Sequence, residues 1–227
     1  MRFRDRAHAA QLLADQLAGA LQPPFVISGI PTGGLIIART LARRFKAPLT
    51  AAHVRRLNVP SSPDRAFGAL DERGSAVLDP AAVRALHLTL ADLEHARTRA
   101  WRELHRVSAL LRDVMSLRDM APHRHIVLTD EGMTTGFTML AAVRAARRMA
   151  AASVTVAVPC ASTDAIQRLE READAIVCLT SSTELRSVSD FYEHLDNDAR
   201  THAPPTGGAA SNEAAHDDAA HPILTSH

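Results

Sequence analysis

The sequence predicts an α/β domain: a mainly parallel sheet flanked by helices, with a small hood and a long amphipathic helix. Three observations lead there. Short apolar runs alternate with segments of helical periodicity, and such alternation calls for helical crossovers between parallel strands. Two of the runs, residues 25–30 and 126–128, end in turns rich in glycine or threonine that lead directly into helices. Between these two units lies a long insertion with a hairpin pattern followed by an extended amphipathic stretch.

Ala9, Leu12, Leu13, Leu17, Ala20 and Leu21 recur every three to four positions and predict a first helix, stopped by Pro23 and Pro24. Phe-Val-Ile-Ser-Gly-Ile at 25–30 suits a buried parallel strand. A turn of Pro31, Thr32, Gly33 and Gly34 then opens a helix over 35–45, and residues 49–54 form a second strand. The stretch 55–65 is polar, basic and proline-bearing, and reads as a mobile loop. Residues 67–70 and 76–78, separated by Asp-Glu-Arg-Gly-Ser, predict a hairpin that, with the N-terminal segment, makes the hood. Helix dominates from Pro80 to Asp119, with one apolar stripe through Leu93, Ala96, Ala100, Leu104, Val107, Leu111 and Val114. A strand from Ile126, a helix to Ala150, a strand at 154–159, a helix at 164–173 and a strand at 175–179 complete the alternation. One domain is expected over 1–198. Residues 199–227, rich in Ala, Pro and His, read as a disordered tail.

A chain of 227 residues holds one core that buries roughly 70% of its unfolded surface without staples. The net charge of +1 gives no case for nucleic acid as a partner. Cys160 and Cys178 each sit in an apolar run, as buried thiols do in a reducing compartment. The charged first residues have no apolar run behind them, which argues against a secretory signal. No segment reaches the ~20 apolar residues of a membrane helix. A cytoplasmic location with no membrane partner is the expectation.

The chemistry concentrates after the strand at 126–128. Asp130 and Glu131 are adjacent carboxylates at a strand end, where mutual repulsion makes them expensive unless they bind something. Behind them Gly132, Met133, Thr134, Thr135, Gly136, Phe137 and Thr138 open a helix, whose first N–H groups and hydroxyls suit a phosphate. A Thr-Gly turn alone is an ordinary helix start, and an acidic pair at a strand end alone is common. Their conjunction, in this order, describes a site for a phosphorylated ribose.

That segment resembles the phosphoribosyl pyrophosphate motif of type I phosphoribosyltransferases: an apolar strand, two acidic residues, three variable ones, Thr-Gly, one residue, Thr. The likeness extends to Phe3-Arg-Asp-Arg-Ala, Pro31-x-Gly-Gly, Val54-Arg-Arg-Leu with Pro60, Pro63 and Gly68, Ala157-Val-Pro, Glu172-Ala-Asp and Phe191-Tyr-Glu. These resemble a bacterial branch with no assigned acceptor. The resemblance implies that Asp130 and Glu131 hold the ribose hydroxyls and help anchor Mg²⁺. It implies that Thr134, Thr135, Gly136 and Thr138 receive the 5′-phosphate, and that Pro31, Thr32, Gly33 and Gly34 form the pyrophosphate loop. Arg55, Arg56 and Arg65 would lie in a flexible loop that closes over the reacting centre, although a solvated charged loop accounts for them equally. Asp130, Glu131, Arg55 and Arg56 are thus the candidate catalytic residues, and the family's frequent dimerisation leaves a homodimer open.

The sequence departs from the pattern where Glu131 replaces an Asp, Thr32 a basic residue and Phe137 a small one. Thr134 stands where purine-specific relatives carry an Asp, which argues against a 6-oxopurine acceptor. Of the 12 histidines, His123 and His125 have a metal-like spacing but read as a solvated connection. Trp101 reads as packing. Phe191 and Tyr192 either line an acceptor site or close the core. The implied activity is Mg²⁺-dependent transfer of a 5-phosphoribosyl group to an unidentified nitrogenous acceptor. The alternatives are a regulatory module that binds phosphoribosyl pyrophosphate or a nucleotide without turnover, and a partner-binding protein retaining only the fold.

Overall fold

The computed structural model describes residues 1–21 and 23–195. The predicted tail at 199–227 lies outside the described residues.

The main sheet has six parallel strands: β1 (Phe25–Gly29), β2 (Leu49–Ala51), β6 (Met115–Ser116), β7 (His125–Thr129), β8 (Ser153–Ser162) and β9 (Ala175–Ser182). Their order across it is β6-β2-β1-β7-β8-β9. Alternate residues of the central strands point to opposite faces, and each face has its own core. Val26, Ile126, Leu128, Val154, Val156 and Val158 pack under α6 (Phe137–Arg148) and α7 (Thr163–Leu169). Ile27, Val127 and Ala157 pack under α1 (Arg6–Leu17) and α2 (Gly33–Phe45). Strands buried on both faces need continuous apolar runs, which is why these were readable.

The hood is a three-stranded antiparallel sheet of β3 (Val54–Val59), β4 (Ser62–Asp71) and β5 (Ala76–Leu78), covered by α3 (Pro80–Ala85) and α4 (Leu90–Leu110). Its own core joins Leu57, Phe67 and Leu70 to Ala96, Ala100 and Leu104. A buried Asp71 ties it to α6: one carboxylate oxygen accepts the N–H groups of Arg73 and Ser75 at 2.9 Å each, and the other accepts from Arg148.

Four expectations are corrected. The stretch 55–65 is no mobile loop, because Val54, Leu57 and Val59 bury one side of a strand paired with β4, and two register shifts absorb the irregular pattern. The second strand stops at Ala51, and Val54 begins a strand of the other sheet. The helical segment 80–119 is broken into α3, α4 and the four-residue α5 (Leu117–Met120), with β6 between the last two. The N-terminal segment belongs to the main body and not to the hood: Phe3 is fully buried against Tyr192, beneath α1.

Candidate active site

The sheet order reverses direction between β1 and β7, since the chain steps outward from β1 on one side and returns to build on the other. Open α/β sheets bind ligands beyond the strand ends at such a point. Here both turns singled out in the sequence converge on one cleft of about 210 Å³. β1 delivers Pro31, Thr32 and Gly33 to it. β7 delivers Asp130 and Glu131, followed by Gly132, Met133, Thr134, Thr135, Gly136 and Thr138. The hood contributes Arg55, Arg56 and, unforeseen, Asn58.

Three residues expected at the site stand outside the cleft. Gly34 packs beneath it, where a Cβ would come within 2.7 Å of the Thr129 carbonyl and 2.9 Å of the Asp130 Cα. The ring of Phe137 is buried in the core with the Arg168 guanidinium 4.2 Å above its centroid, so it leaves the cleft uncrowded. Arg65 lies on a neighbouring concavity with Thr134 and Thr135.

The helix starts at this cleft are unlike the others. Most helices are capped by a side-chain oxygen, from Asp5, Asp79, Thr89, Ser116 or Ser162. Among the described residues, only α2 and α6 begin without a side-chain cap, behind Thr32 and Gly136. Gly136 adopts φ 75°, a left-handed conformation that glycine takes without steric cost. First-turn N–H groups left without a cap, together with the helix dipole, have the chemistry to receive an anion.

β8 supports the α6 turn because its ten residues outrun the five of β7. Met133 donates to the Cys160 carbonyl at 2.9 Å, and Ser162 N–H donates to the Met133 carbonyl at 2.8 Å. The Ser162 hydroxyl donates to the Thr134 carbonyl while accepting the Ala165 N–H at 3.0 Å. Arg168 donates to the Thr135 carbonyl. Three successive carbonyls of the turn, those of Met133, Thr134 and Thr135, are thus held from behind.

The acidic pair is fixed by Arg6, to which the sequence reading gave no role, and by Tyr192, which that reading placed either at an acceptor site or in the core. Arg6, on α1, donates from Nε to Glu131 Oε2 at 2.6 Å, with only 11% of its side chain exposed. Tyr192 Oη donates to the Glu131 carbonyl at 2.7 Å, so this residue closes the core while bracing the site. Asp130 Oδ1 accepts the Glu131 N–H at 2.8 Å. Burial, then the charge of Glu131, push the Asp130 carboxyl up to about 8. Burial also pushes the Cys160 thiol up to about 12, leaving it inert behind the site. Arg6 lies in the Phe3–Ala7 stretch that matched the family pattern, the one signal that could have found it. Asn58 was hidden in the supposed loop.

The histidines hold no metal cluster among the described residues. His125 starts β7 and bonds through Nε2 to the Thr155 hydroxyl at 2.8 Å, so it is not simply solvated. His123 is exposed. Trp101 packs against His105 with centroids 4.5 Å apart. Among the described residues no helix is long and apolar enough to cross a membrane.

Comparison with known proteins agrees with this geometry. The phosphoribosyl transferase domain family matches residues 5–194. The chain belongs to that family. It is 36% identical over 195 residues to proteins from two Mycobacterium tuberculosis strains, CDC 1551 and H37Rv, whose names assign them provisionally as phosphoribosyl transferases. That match takes in 85% of this chain but 43% of theirs, so the chain spans less than half the length of these relatives. A crystal structure from Thermus thermophilus is 36% identical, covers 85% of this chain and 90% of that one, and superposes with a TM-score of 0.66. The fold is the type I phosphoribosyltransferase α/β fold.

Proposed function

We propose that the cleft binds phosphoribosyl pyrophosphate with Mg²⁺, and that the chain transfers the 5-phosphoribosyl group to a nitrogenous acceptor, releasing pyrophosphate. The observation that carries this reading is the convergence of two uncapped helix starts on either side of an acidic pair. In this reading the α6 start, with Thr134, Thr135, Gly136 and Thr138, takes the 5′-phosphate. The α2 start, with Pro31, Thr32 and Gly33, takes the pyrophosphate. Asp130 and Glu131 accept hydrogen bonds from the ribose hydroxyls between them.

The donor set fits a Mg²⁺ that arrives with substrate. This ion keeps several waters and takes one or two carboxylates plus phosphate oxygens, so two adjacent carboxylates suffice without a protein cage. When bound, it neutralises charge on the departing pyrophosphate. In the transfer the bond from ribose C1 to pyrophosphate oxygen breaks, the pyrophosphate keeps the electron pair, and a bond forms from C1 to the acceptor nitrogen. Arg56 stabilises the leaving anion through the guanidinium it presents to the cleft. Arg55 shares that role to a lesser extent, because its guanidinium also meets Glu103 at 3.2 Å.

A regulatory binding module is the second reading, and the short Arg6–Glu131 pair favours it by engaging the carboxylate before any ligand arrives. Release of pyrophosphate over a panel of nitrogenous acceptors, compared between wild type and Arg56→Ala, separates the two. An enzyme loses most turnover in the variant while still binding ribose 5-phosphate; a binding module releases no pyrophosphate in either form. The reading carries a cytoplasmic location, supported by the two free cysteines.

A further inference from the structure

A second, larger concavity of about 790 Å³ lies between β3 and α4, and it is continuous with the cleft because Arg55, Arg56 and Asn58 line both. Its floor is formed by the small buried residues Ala96 and Ala100. Arg99, Arg102 and Arg106 stand along its side at helical spacing on α4. Five arginines therefore meet two carboxylates, Glu94 and Glu103. Glu103 is already held by Arg55 at 3.2 Å and Arg106 at 2.7 Å. Glu94 is exposed and lies 4.0 Å from Arg97, an arginine that does not line the groove. Arg56, Arg99 and Arg102 have no ion pair among the described residues.

Guanidinium groups gathered this closely repel one another, and an anion between them removes that cost. Burial, with Arg56 and Arg106 beside it, already lowers the Arg55 guanidinium from its usual value against the pull of Glu103. Among the described residues the one aromatic ring lining the groove is the His95 imidazole, since Trp101 on the same helix turns toward Gly74 and His105, and five arginines dominate the lining.

We propose that this groove receives the acceptor, and that the acceptor carries an oxyanion, a carboxylate or a phosphate, bound by Arg99 and Arg102. This rests on the proposed transfer reaction, in which Arg56 then stands between the two anionic ligands. Guanidinium pairs bind both oxyanions bidentately, so the chemistry is shared and the choice between them is experimental.

The test is calorimetric titration of the full chain, saturated with Mg²⁺ and phosphoribosyl pyrophosphate, using nicotinate, its uncharged counterpart nicotinamide, and inorganic phosphate. Nicotinate or phosphate binds, whichever the groove prefers, and nicotinamide does not. Arg99→Ala/Arg102→Ala weakens the anion by about tenfold or more, as loss of charge-assisted bonds requires. Both arginines are exposed, and circular dichroism of the variant checks its fold. Binding of neither anion overturns the proposal, as does equal affinity for nicotinamide or an anion affinity unchanged in the variant. If wild type fails to bind phosphoribosyl pyrophosphate, the functional reading falls separately, and the same anion comparison on the unloaded chain decides whether the groove is an oxyanion site.

Discussion

Glu131 reaches Arg6 by passing over Gly33, where a Cβ would meet its carboxylate at 1.9 Å. The obstacle is the tip of a flexible side chain, so Gly33→Ala should leave the fold intact while displacing the carboxylate. Its unfolding midpoint should stay close to wild type, and its affinity for phosphoribosyl pyrophosphate should fall by about tenfold or more, because such sites tolerate misplacement poorly. Asp130 gives a pH signature. Its carboxyl titrates near 8 in the unliganded fold against an ordinary value of 3.8. Between those values the folded chain keeps a proton that the unfolded chain has released, so this group's contribution to stability is full below 3.8 and is lost as pH rises through 8. Denaturant unfolding at pH 5, 6.5 and 8 should show this decline in wild type and a flatter profile in Asp130→Asn; equal slopes would sink the assignment. The acidic pair was legible because its neighbours in sequence are its neighbours in the site. Arg6 was not, since 125 positions separate it from Glu131 and no local pattern marks which arginine makes the pair.

At the scale of elements, the hood shows where pattern reading fails. Residues 54–59 carry two adjacent arginines and an asparagine, and 60–65 carry two prolines, so polarity and proline content outweighed the apolar positions Val54, Leu57 and Val59. Bulges break the alternation that a period-two search needs. By contrast, the α4 stripe was readable because Ala96, Ala100 and Leu104 keep a helical spacing without interruption. The hood's attachment to α6 turns on Asp71, whose side chain is 1% exposed and accepts both the local backbone and Arg148. Asp71→Ala leaves those donors without a partner and should cost about 3 kcal/mol of stability, read by denaturant unfolding. Behind the cleft, Ser162 caps α7 and holds the Thr134 carbonyl. Ser162→Ala should therefore lose about 1 kcal/mol, as cap removal does, and weaken phosphoribosyl pyrophosphate binding besides. A loss of stability with unchanged binding would mean that the turn keeps its shape without this support.

For the molecule as a whole, the alternation of apolar runs and helices dictated a parallel sheet, and the reversal of strand order between β1 and β7 put both marked turns at one cleft. What the sequence could not show was that β3 joins the predicted hairpin in the hood, since the β3–α4 groove is made by segments about 40 positions apart that meet only through the hood core. Two uncapped helix starts facing an acidic pair, with arginines above, form a charge distribution suited to a ribose bearing phosphates at both ends. The direct test is calorimetric titration of the chain with phosphoribosyl pyrophosphate, with and without Mg²⁺, beside Asp130→Asn/Glu131→Gln. Binding that requires Mg²⁺ and is lost in the variant is the predicted result; absence of binding in wild type, or binding that the variant retains, would contradict the assignment of the cleft.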